Sequence, residues 1–182
     1  MRRDKLRRRM AALISGILIS TACLTGCAPP VGAPISQSSF LLDTFVTVTV
    51  YGSSNLFSQK TKKAVQGSLD LCREYEQLLS KTIDTSEIYK INHREAGTRS
   101  MTVSDDTARV IERGLRYCSL SDGAFDITIE PLSSLWDFKG PDYRVPDELE
   151  IEKDMHRVDY RALHVEGDQI LFDRDDTSID LG

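Results

Sequence analysis

The sequence predicts a mixed α+β or α/β domain, with helices packed on a mixed sheet. In residues 42–52 valines alternate with threonines, a pattern typical of a strand with one buried face. In residues 56–79 and 104–118 apolar residues recur every three to four positions, which favours helices with one buried stripe. A length of 182 residues, with 40% hydrophobic and 28% charged residues, indicates one globular domain.

Shorter elements are expected between and after these segments. Extended segments are predicted at 101–103, at the β-prone run 125–129, at a hairpin spanning 164–172 and at the apolar residues 179–182. Helices should begin after residues that accept hydrogen bonds from the first turn. The expected helix starts are Ser86 or Thr85 after the polar loop 81–85, Ser104, and a third helix from Val145 to about Met155 with Pro146 in its first turn.

The N-terminus predicts export and lipidation. A basic segment, 1–10, precedes an apolar segment, 11–22, that is too short to span a bilayer. Leu-Thr-Gly-Cys follows at 24–27 and resembles a bacterial lipobox. We therefore expect residues 1–26 to be a lipoprotein signal peptide and Cys27 to carry the lipid, on the outer face of the cell membrane. The alternative is an ordinary secretory signal, or a single anchor helix, with an incidental cysteine.

The expected mature protein is acidic. Without residues 1–26 it has 17 basic and 27 acidic residues, a net charge of −10, which argues against a nucleic-acid partner. Residues 27–39 are rich in Pro, Gly and Ser, and predict a flexible tether before a domain at 40–182. Cys72 and Cys118 lie on predicted helix faces, where they either pair or stay as buried thiols. No Cys/His cluster suggests zinc, and the three histidines have surface contexts.

Residues 122–140 are the strongest candidate for a ligand-binding loop. The segment begins with an Asp-Gly turn and concentrates carboxylates, glycines and aromatic side chains, including the only tryptophan, Trp136. From the residues alone, Asp126 equally suits a structural acid that accepts bonds from backbone amides. Trp136 equally suits a core side chain whose indole N–H is satisfied. The polar loop 81–85 is explained as well by helix capping as by ligand binding.

Five motifs in collinear order resemble the ApbE family of FAD:protein FMN transferases. They are D-T-F-V-T-V-T-V-Y at 43–51, S-K-T-I-D-T-S-E-I-Y-K-I-N at 80–92, G-A-F-D-I-T-I-E-P-L-S-S-L-W-D-F at 123–138, V-P at 145–146 and I-D-L-G at 179–182. The third motif is specific, whereas the others alone would be weak. The resemblance covers about residues 40–182 and implies a T-fold-related architecture of two lobes with FAD between them.

The resemblance also implies an activity. Members move FMN from FAD to a Thr or Ser hydroxyl of a target flavoprotein, a subunit of a membrane redox complex, and release AMP with the help of Mg²⁺. Carried onto this chain, the implied flavin contacts are Leu42, Thr82, Ala124, Phe125, Asp126 and Asp180. Phe125 and Trp136 are candidates to wall the flavin cleft. A threonine at position 82 cannot stack on a flavin ring, so a contact there would be a hydrogen bond or a backbone group.

The resemblance further implies that this sequence is the N-terminal part of such an enzyme. Family members continue from I-D-L-G into a glycine-rich segment with a lysine, and their metal ligands and probable base lie beyond the position of Gly182. The 182-residue polypeptide alone is therefore expected to have little or no transferase activity. The alternatives are an FAD-binding or FAD-hydrolysing lipoprotein, in which water replaces the protein hydroxyl, and an inactive fragment of the transferase.

Overall fold

The computed structural model describes residues 33–52, 58–138, 140 and 144–182. The predicted signal peptide 1–26 and the lipidation site Cys27 lie outside these residues. No helix within the described part of the chain is both long and apolar enough to cross a membrane. The described residues divide into two compact units, one of residues 33–37, 48–52 and 58–66 and the other of residues 38–47, 67–138, 140 and 144–182.

The smaller unit contains the start of strand β1 (Ile35–Leu41), the end of strand β2 (Thr44–Val50) and the start of helix α1 (Ser58–Leu79). β1 and β2 form a two-stranded sheet. In this unit the hydroxyls of Ser36 and Thr49 lie 2.8 Å apart across the two strands. On α1, Val65 is buried, which confirms the predicted helix and its apolar stripe.

Strand β1 corrects the predicted tether. Residues 35–39 were expected to belong to a flexible linker and form strand instead. Their serines, which resemble a linker composition, face threonines of β2. The hydroxyls of Ser38 and Thr47 lie 2.8 Å apart. Such cross-strand hydroxyl pairs stabilise a sheet without apolar side chains.

A two-residue turn at Leu42 and Asp43 joins the two strands. Both residues have positive φ angles, 53° and 56°, as a type I′ hairpin requires. Leu42 N–H donates to Glu76 Oε1 over 2.8 Å, so this turn is tied to helix α1 within the larger unit. Leu42 therefore lies in the turn before β2, not at the start of the predicted strand 42–52, because that strand begins at Thr44.

The larger unit has a second sheet of three antiparallel strands. They are β3 (Ser100–Thr102), β4 (Leu163–Glu166) and β5 (Gln169–Phe172), in the order β3-β5-β4. Ile170 on the central strand faces Met101 on one side and Val165 on the other, and it is fully buried. The predicted extended segment near 101–103 and the predicted hairpin are confirmed.

Helices α2 (Glu87–Asn92) and α3 (Asp105–Leu120) begin where the sequence predicts. The Ser86 hydroxyl accepts from Tyr89 N–H, and the Ser104 hydroxyl accepts from Thr107 N–H. These bonds satisfy amides that a helix leaves unpaired in its first turn. The core between the helices and the second sheet is mostly β-branched and contains Ile88, Ile91, Val103, Ala108, Ile111, Cys118, Ile127, Leu163, Ile170, Phe172 and Ile179.

The remaining helical elements are short. They are α4 (Glu130–Ser133), a 3₁₀ turn at Ser134–Trp136, α5 (Glu148–Met155) and a 3₁₀ turn at Tyr160–Ala162. The predicted third helix begins later than expected, so Pro146 precedes it and does not lie in its first turn. Asp147 is the N-cap instead, because its side chain and that of Glu150 form a reciprocal capping box.

Two predicted extended segments do not form strands. At 125–129 the Asp126 side chain accepts the amide of Thr128, which folds the backbone into a turn. At 179–182 the backbone of Ile179 pairs with the side chain of Asn92, which takes the place of a neighbouring strand. The fold is thus mixed α/β with small sheets and packed helices, as predicted. The two-lobe arrangement remains a prediction.

Gly114 marks a close approach between α3 and the turn after Asp126. A Cβ atom at Gly114 would lie 2.9 Å from Ile127 Cγ2, and Ile127 is buried. We expect Gly114→Ala to lower the free energy of unfolding by about 1 kcal/mol. Overpacking against Ile127 costs about 1–3 kcal/mol of stability, and the higher helix propensity of alanine offsets about 1 kcal/mol of that cost. Urea denaturation measures this difference.

Gly67→Ala on helix α1 is the matched control. Among the described residues, no atom other than those of the adjoining residues and the helix's own backbone lies within 4 Å of a Cβ atom placed there. The propensity gain should therefore appear alone and raise the free energy of unfolding by up to about 1 kcal/mol. Equal stabilisation by the two substitutions would show that the contact with Ile127 does not constrain the helix.

Candidate functional site

Four of the six flavin contacts implied by the sequence lie around one pocket of the larger unit. The pocket has a volume of about 400 Å³ and combines apolar side chains with two carboxylates. Its lining consists of Ala124, Phe125, Asp126 and Asp180 together with Gly123, Ile129, Val158, Leu181 and Gly182. Volumes of this size, with mostly apolar walls and few polar groups, are typical of cofactor and small-molecule sites.

The turn after helix α3 shapes the first wall of this pocket. Asp122 and Gly123 have φ angles of 52° and 81°, and Gly123 N–H donates to Cys118 O over 2.9 Å. A positive φ angle is the left-handed backbone conformation, which glycine adopts at position 123 without steric cost. The Ser121 hydroxyl then accepts from Phe125 N–H over 3.0 Å. The Phe125 side chain remains 51% exposed, so an apolar surface is available to a ligand.

Asp126 joins this wall to the segment that precedes β4. Its Oδ1 accepts from the amide and the hydroxyl of Thr128, at 2.7 and 2.6 Å, and its Oδ2 accepts from Tyr160 N–H at 3.0 Å. The Thr128 hydroxyl in turn accepts from Asp159 N–H at 2.9 Å. The interpretation of Asp126 as a structural acid is therefore confirmed. A flavin contact at Asp126 remains a prediction.

Asp180, on the second wall, is positioned through its backbone. Asp180 N–H donates to Ile127 O over 2.9 Å, which ties the two walls together directly. The Asn92 side chain bonds both backbone groups of Ile179: Oδ1 accepts its N–H at 2.7 Å and Nδ2 donates to its carbonyl at 2.8 Å. The amide of Asn92 thus bonds both the N–H and the carbonyl of Ile179, as the backbone of a neighbouring strand would.

Arg94 holds the segment that leads into Asp180. Its guanidinium donates to the carbonyls of Arg174, Asp175 and Thr177 and to that of Ile91, over distances of 2.7–3.0 Å. The same group lies 3.9 Å from the centre of the Phe172 ring, a cation–π contact. Arg94 thereby satisfies the carbonyls of Arg174, Asp175 and Thr177, which lie outside the strands and have no partner in a ladder.

The Asp180 side chain forms an ion pair that sequence reasoning did not predict. Lys81 Nζ lies 2.7 Å from Asp180 Oδ2, and the exposed fractions of the two side chains are 22% and 14%. The Ser133 hydroxyl donates to the same Oδ2 at 2.6 Å, and Gly182 N–H donates to Oδ1 at 3.1 Å. Burial raises the pKa of the Asp180 carboxyl, but these hydrogen bonds and the charge of Lys81 outweigh burial, and the pKa lies below its ordinary value.

The other two sequence-predicted contacts lie outside this pocket lining. Leu42 occupies the hairpin turn described above. Thr82 is exposed, and its amide and hydroxyl both face the Ser80 hydroxyl at 3.1 Å. Lys81, its neighbour in the same motif, reaches Asp180 instead. No local sequence pattern identifies Lys81 or Asn92 as a site residue, because their partners are distant in sequence. Lys81 bonds Asp180, 99 residues later, and Asn92 bonds Ile179, 87 residues later.

Trp136 and Cys118 are not among the residues that line the pocket. Trp136 is half-buried at the end of the 3₁₀ turn and lies nearly parallel to Phe138, with 6.4 Å between ring centres. Cys72 and Cys118 are both free thiols, which resolves the alternative left open by the sequence. Burial raises the pKa of the Cys118 thiol more than the hydrogen bond from Ile127 N–H lowers it.

The charge of the pocket indicates which part of a nucleotide ligand it suits. Asp126 and Asp180 both belong to its lining, and carboxylates accept hydrogen bonds and repel phosphate. The exposed Phe125 ring offers an apolar face beside them. The arrangement therefore favours an aromatic ring system with N–H or O–H donors over a phosphate group. In the described residues no group of three or more His, Cys, Asp or Glu side chains converges on a metal position.

A model of the ApbE family matches residues 42–182. The chain belongs to the ApbE family. Among similar proteins named FAD:protein FMN transferase, that of Klebsiella pneumoniae (strain 342) is 32% identical over 136 residues, which cover 72% of this chain and 37% of the relative. That of Vibrio cholerae is 27% identical over 168 residues, which cover 90% of this chain and 48% of the relative.

Solved structures of ApbE proteins share the fold. The apbe protein of Thermotoga maritima superposes with a TM-score of 0.70 at 26% identity, over 81% of this chain and 47% of that structure. The flavin transferase ApbE of Vibrio cholerae gives the same score and identity, over 84% of this chain and 48% of that structure. This chain thus spans about half the length, or less, of the ApbE proteins it matches.

Two buried threonines test the hydrogen bonds that hold Asp126. Thr128 and Thr177 are both about fully buried, but the hydroxyl of Thr128 has two partners, whereas that of Thr177 has none among the described residues. We expect Thr128→Val to lower the free energy of unfolding by about 1–3 kcal/mol, since it leaves Asp159 N–H unpaired and removes a donor to Asp126.

Thr177→Val is the control with the same change of shape. It removes a hydroxyl that makes no bond, so stability should stay unchanged or rise. Both variants are measured by urea denaturation at neutral pH. Equal losses of stability in the two variants would contradict the role assigned to the Thr128 hydroxyl.

Proposed function

We propose that the chain functions in an FAD:protein FMN transferase. In this reaction a Thr or Ser hydroxyl of a target flavoprotein attacks the FMN phosphorus of FAD, and the pyrophosphate bond breaks. The hydroxyl loses its proton, FMN becomes attached through a phosphoester, and AMP leaves. The observation that carries the proposal is the convergence of Ala124, Phe125, Asp126 and Asp180 on one pocket. These are four of the six residues that the family resemblance assigns to the flavin.

The chemistry of the pocket supports binding of the flavin end of FAD. Phe125 and the apolar residues Ile129, Val158 and Leu181 give the ring system a surface that excludes water. The carboxylate of Asp180 accepts from a ring N–H or a ribitol hydroxyl. Because both acids disfavour phosphate at this position, the pyrophosphate belongs outside the pocket, where it is accessible to an attacking hydroxyl.

Magnesium, the acceptor and the membrane anchor belong to the same proposal. A bound Mg²⁺ would neutralise charge at the pyrophosphate. Since no set of metal ligands converges among the described residues, we assign no residue here to it and derive no step through it. Lipidation of Cys27 would hold the protein at the outer face of the cell membrane, where it would meet a subunit of a membrane redox complex.

A product assay tests the transfer reaction. Protein expressed from the natural gene is incubated with FAD, Mg²⁺ and a co-expressed target flavoprotein. We expect flavin bound covalently to the target and one AMP released for each flavin attached. Intact-mass measurement and chromatography of nucleotides give both quantities. Free FMN and AMP without flavin on the target would show FAD hydrolysis instead, and the transferase proposal would fail.

Phe125 provides a test of the pocket itself. We expect Phe125→Ala to weaken FAD binding about tenfold, as loss of an apolar ring contact of about 1–2 kcal/mol predicts. The thermal midpoint should change little, because half of the side chain is exposed. Tyr117→Ala is the control, since Tyr117 is 55% exposed and lies outside the pocket lining. Flavin fluorescence gives the affinities, and equal affinity in all three proteins would exclude Phe125 from the site.

A further inference from the structure

We propose that Lys81 is the positioning residue for Asp180: it occupies Oδ2 and leaves Oδ1 to accept a donor of the flavin substrate. This inference rests on the proposed function for its ligand and on the hydrogen bonds of the structure for its geometry. Lys81 belongs to the loop between α1 and α2, and it is not itself part of the pocket lining. It acts through Asp180.

The hydrogen-bond inventory of Lys81 is complete. An ammonium group has three donors, and these reach Asp180 Oδ2 at 2.7 Å, Ser133 Oγ at 2.8 Å and Ser134 Oγ at 3.2 Å. Since Ser133 Oγ accepts from Lys81, its own proton is available to Asp180 Oδ2 at 2.6 Å. Lys81 and Ser133 thus hold the same carboxylate oxygen from two sides.

The other oxygen of Asp180 remains available. Oδ1 accepts one bond, from Gly182 N–H at 3.1 Å, and a carboxylate oxygen accepts two. Rotation of the carboxyl would exchange the two oxygens, and the double contact at Oδ2 opposes that rotation. A donor that enters the pocket therefore meets an oriented, ionised acceptor, which is the requirement for recognition of one N–H or O–H at a fixed place.

The loop that carries Lys81 is closed by hydrogen bonds from Ser86. The hydroxyl of Ser86 donates to Ser80 O, and Ser86 N–H donates to Ile83 O at 2.9 Å. The first bond joins the beginning of the loop, Ser80, to its end, Ser86. Ser86 is also the N-cap of α2. On the other side, Ser133 is the last residue of α4, and Ser134 begins the 3₁₀ turn that follows it. Lys81 thus connects three segments at the position of Asp180.

Burial opposes the ionisation of the Asp180 carboxyl, and Lys81 offsets that effect. Glu130 accepts from Ser134 Oγ at 2.6 Å, within the same network, and Asp126 lies on the opposite wall of the pocket. Among the described residues that contact the Asp180 side chain, Lys81 is the one cation. Without Lys81, burial would favour the protonated carboxyl, whose O–H is a donor at a place where the ligand also has a donor.

Titration of Asp180 without flavin tests the first step. The carboxyl resonance, assigned with Asp180→Asn, is followed by NMR against pH in the wild type, Lys81→Met, Lys81→Arg and Lys90→Met. We expect Lys81→Met to raise the pKa of Asp180, and Lys81→Arg to raise it less because the charge stays. Lys90→Met, an exposed lysine of α2, should leave the pKa unchanged. An unchanged pKa in Lys81→Met, or an equal rise in Lys81→Arg, would overturn the proposal.

Flavin binding tests the second step. We expect Lys81→Met to weaken FAD binding about tenfold at neutral pH, the effect of losing one hydrogen bond to a charged group. As pH falls, its affinity should decline at a higher pH than that of the wild type, a shift that general loosening of the fold would not produce. Ser133→Ala, which keeps the charge of Lys81, should give a smaller change and serves if Lys81→Met fails to fold.

The two measurements separate this inference from the proposed function. If the wild type binds no FAD while the pKa of Asp180 still depends on Lys81, the proposed flavin function fails and the control of Asp180 by Lys81 stands. If FAD binds equally well, with the same pH profile, to the wild type and to folded Lys81→Met, the flavin function stands and the positioning role of Lys81 is wrong.

Discussion

The pocket depends on fixing one half-buried carboxylate in place. Asp180 loses hydration when it is buried, which costs free energy unless its charge is paired and its oxygens are hydrogen-bonded. Lys81 and Ser133 provide that compensation at Oδ2. Asn92 fixes the backbone one residue earlier, and Asp180 N–H reaches back to Ile127. The core isoleucines on either side of these contacts set the positions of the two walls.

Local patterns in the sequence predicted most of the helices, because capping and apolar periodicity are properties of a few neighbouring residues. Ser86 and Ser104 cap the helices they were expected to cap. The same reasoning failed where a side chain replaces a backbone partner. Asp126 turns a β-prone run into a turn, and Asn92 replaces a strand beside Ile179. Strand β1 was missed because hydroxyl pairs, not apolar alternation, support it.

The site was predictable only in part, and for a different reason. Composition marked the 122–140 segment as dense in functional side chains, but the family resemblance was needed to select Ala124, Phe125, Asp126 and Asp180. Lys81 stands one position from Thr82, which the resemblance selected, and it is Lys81 that reaches Asp180. Nothing local distinguishes the two, because the partner that gives Lys81 its role is distant in sequence. Contacts of this kind become visible only in three dimensions.

The long sequence separation of these contacts also bears on the order in which the molecule folds. The Lys81–Asp180 pair spans 99 residues, and the bonds from Asn92 and Arg94 to residues 177–179 span 83–87. Bringing together residues so distant in sequence costs more chain entropy than forming a local contact. We therefore expect these pairs to form after the helices. During synthesis, Lys81 leaves the ribosome long before its partner exists. Until Asp180 has been synthesised, Lys81 lacks the carboxylate with which it pairs in the folded domain.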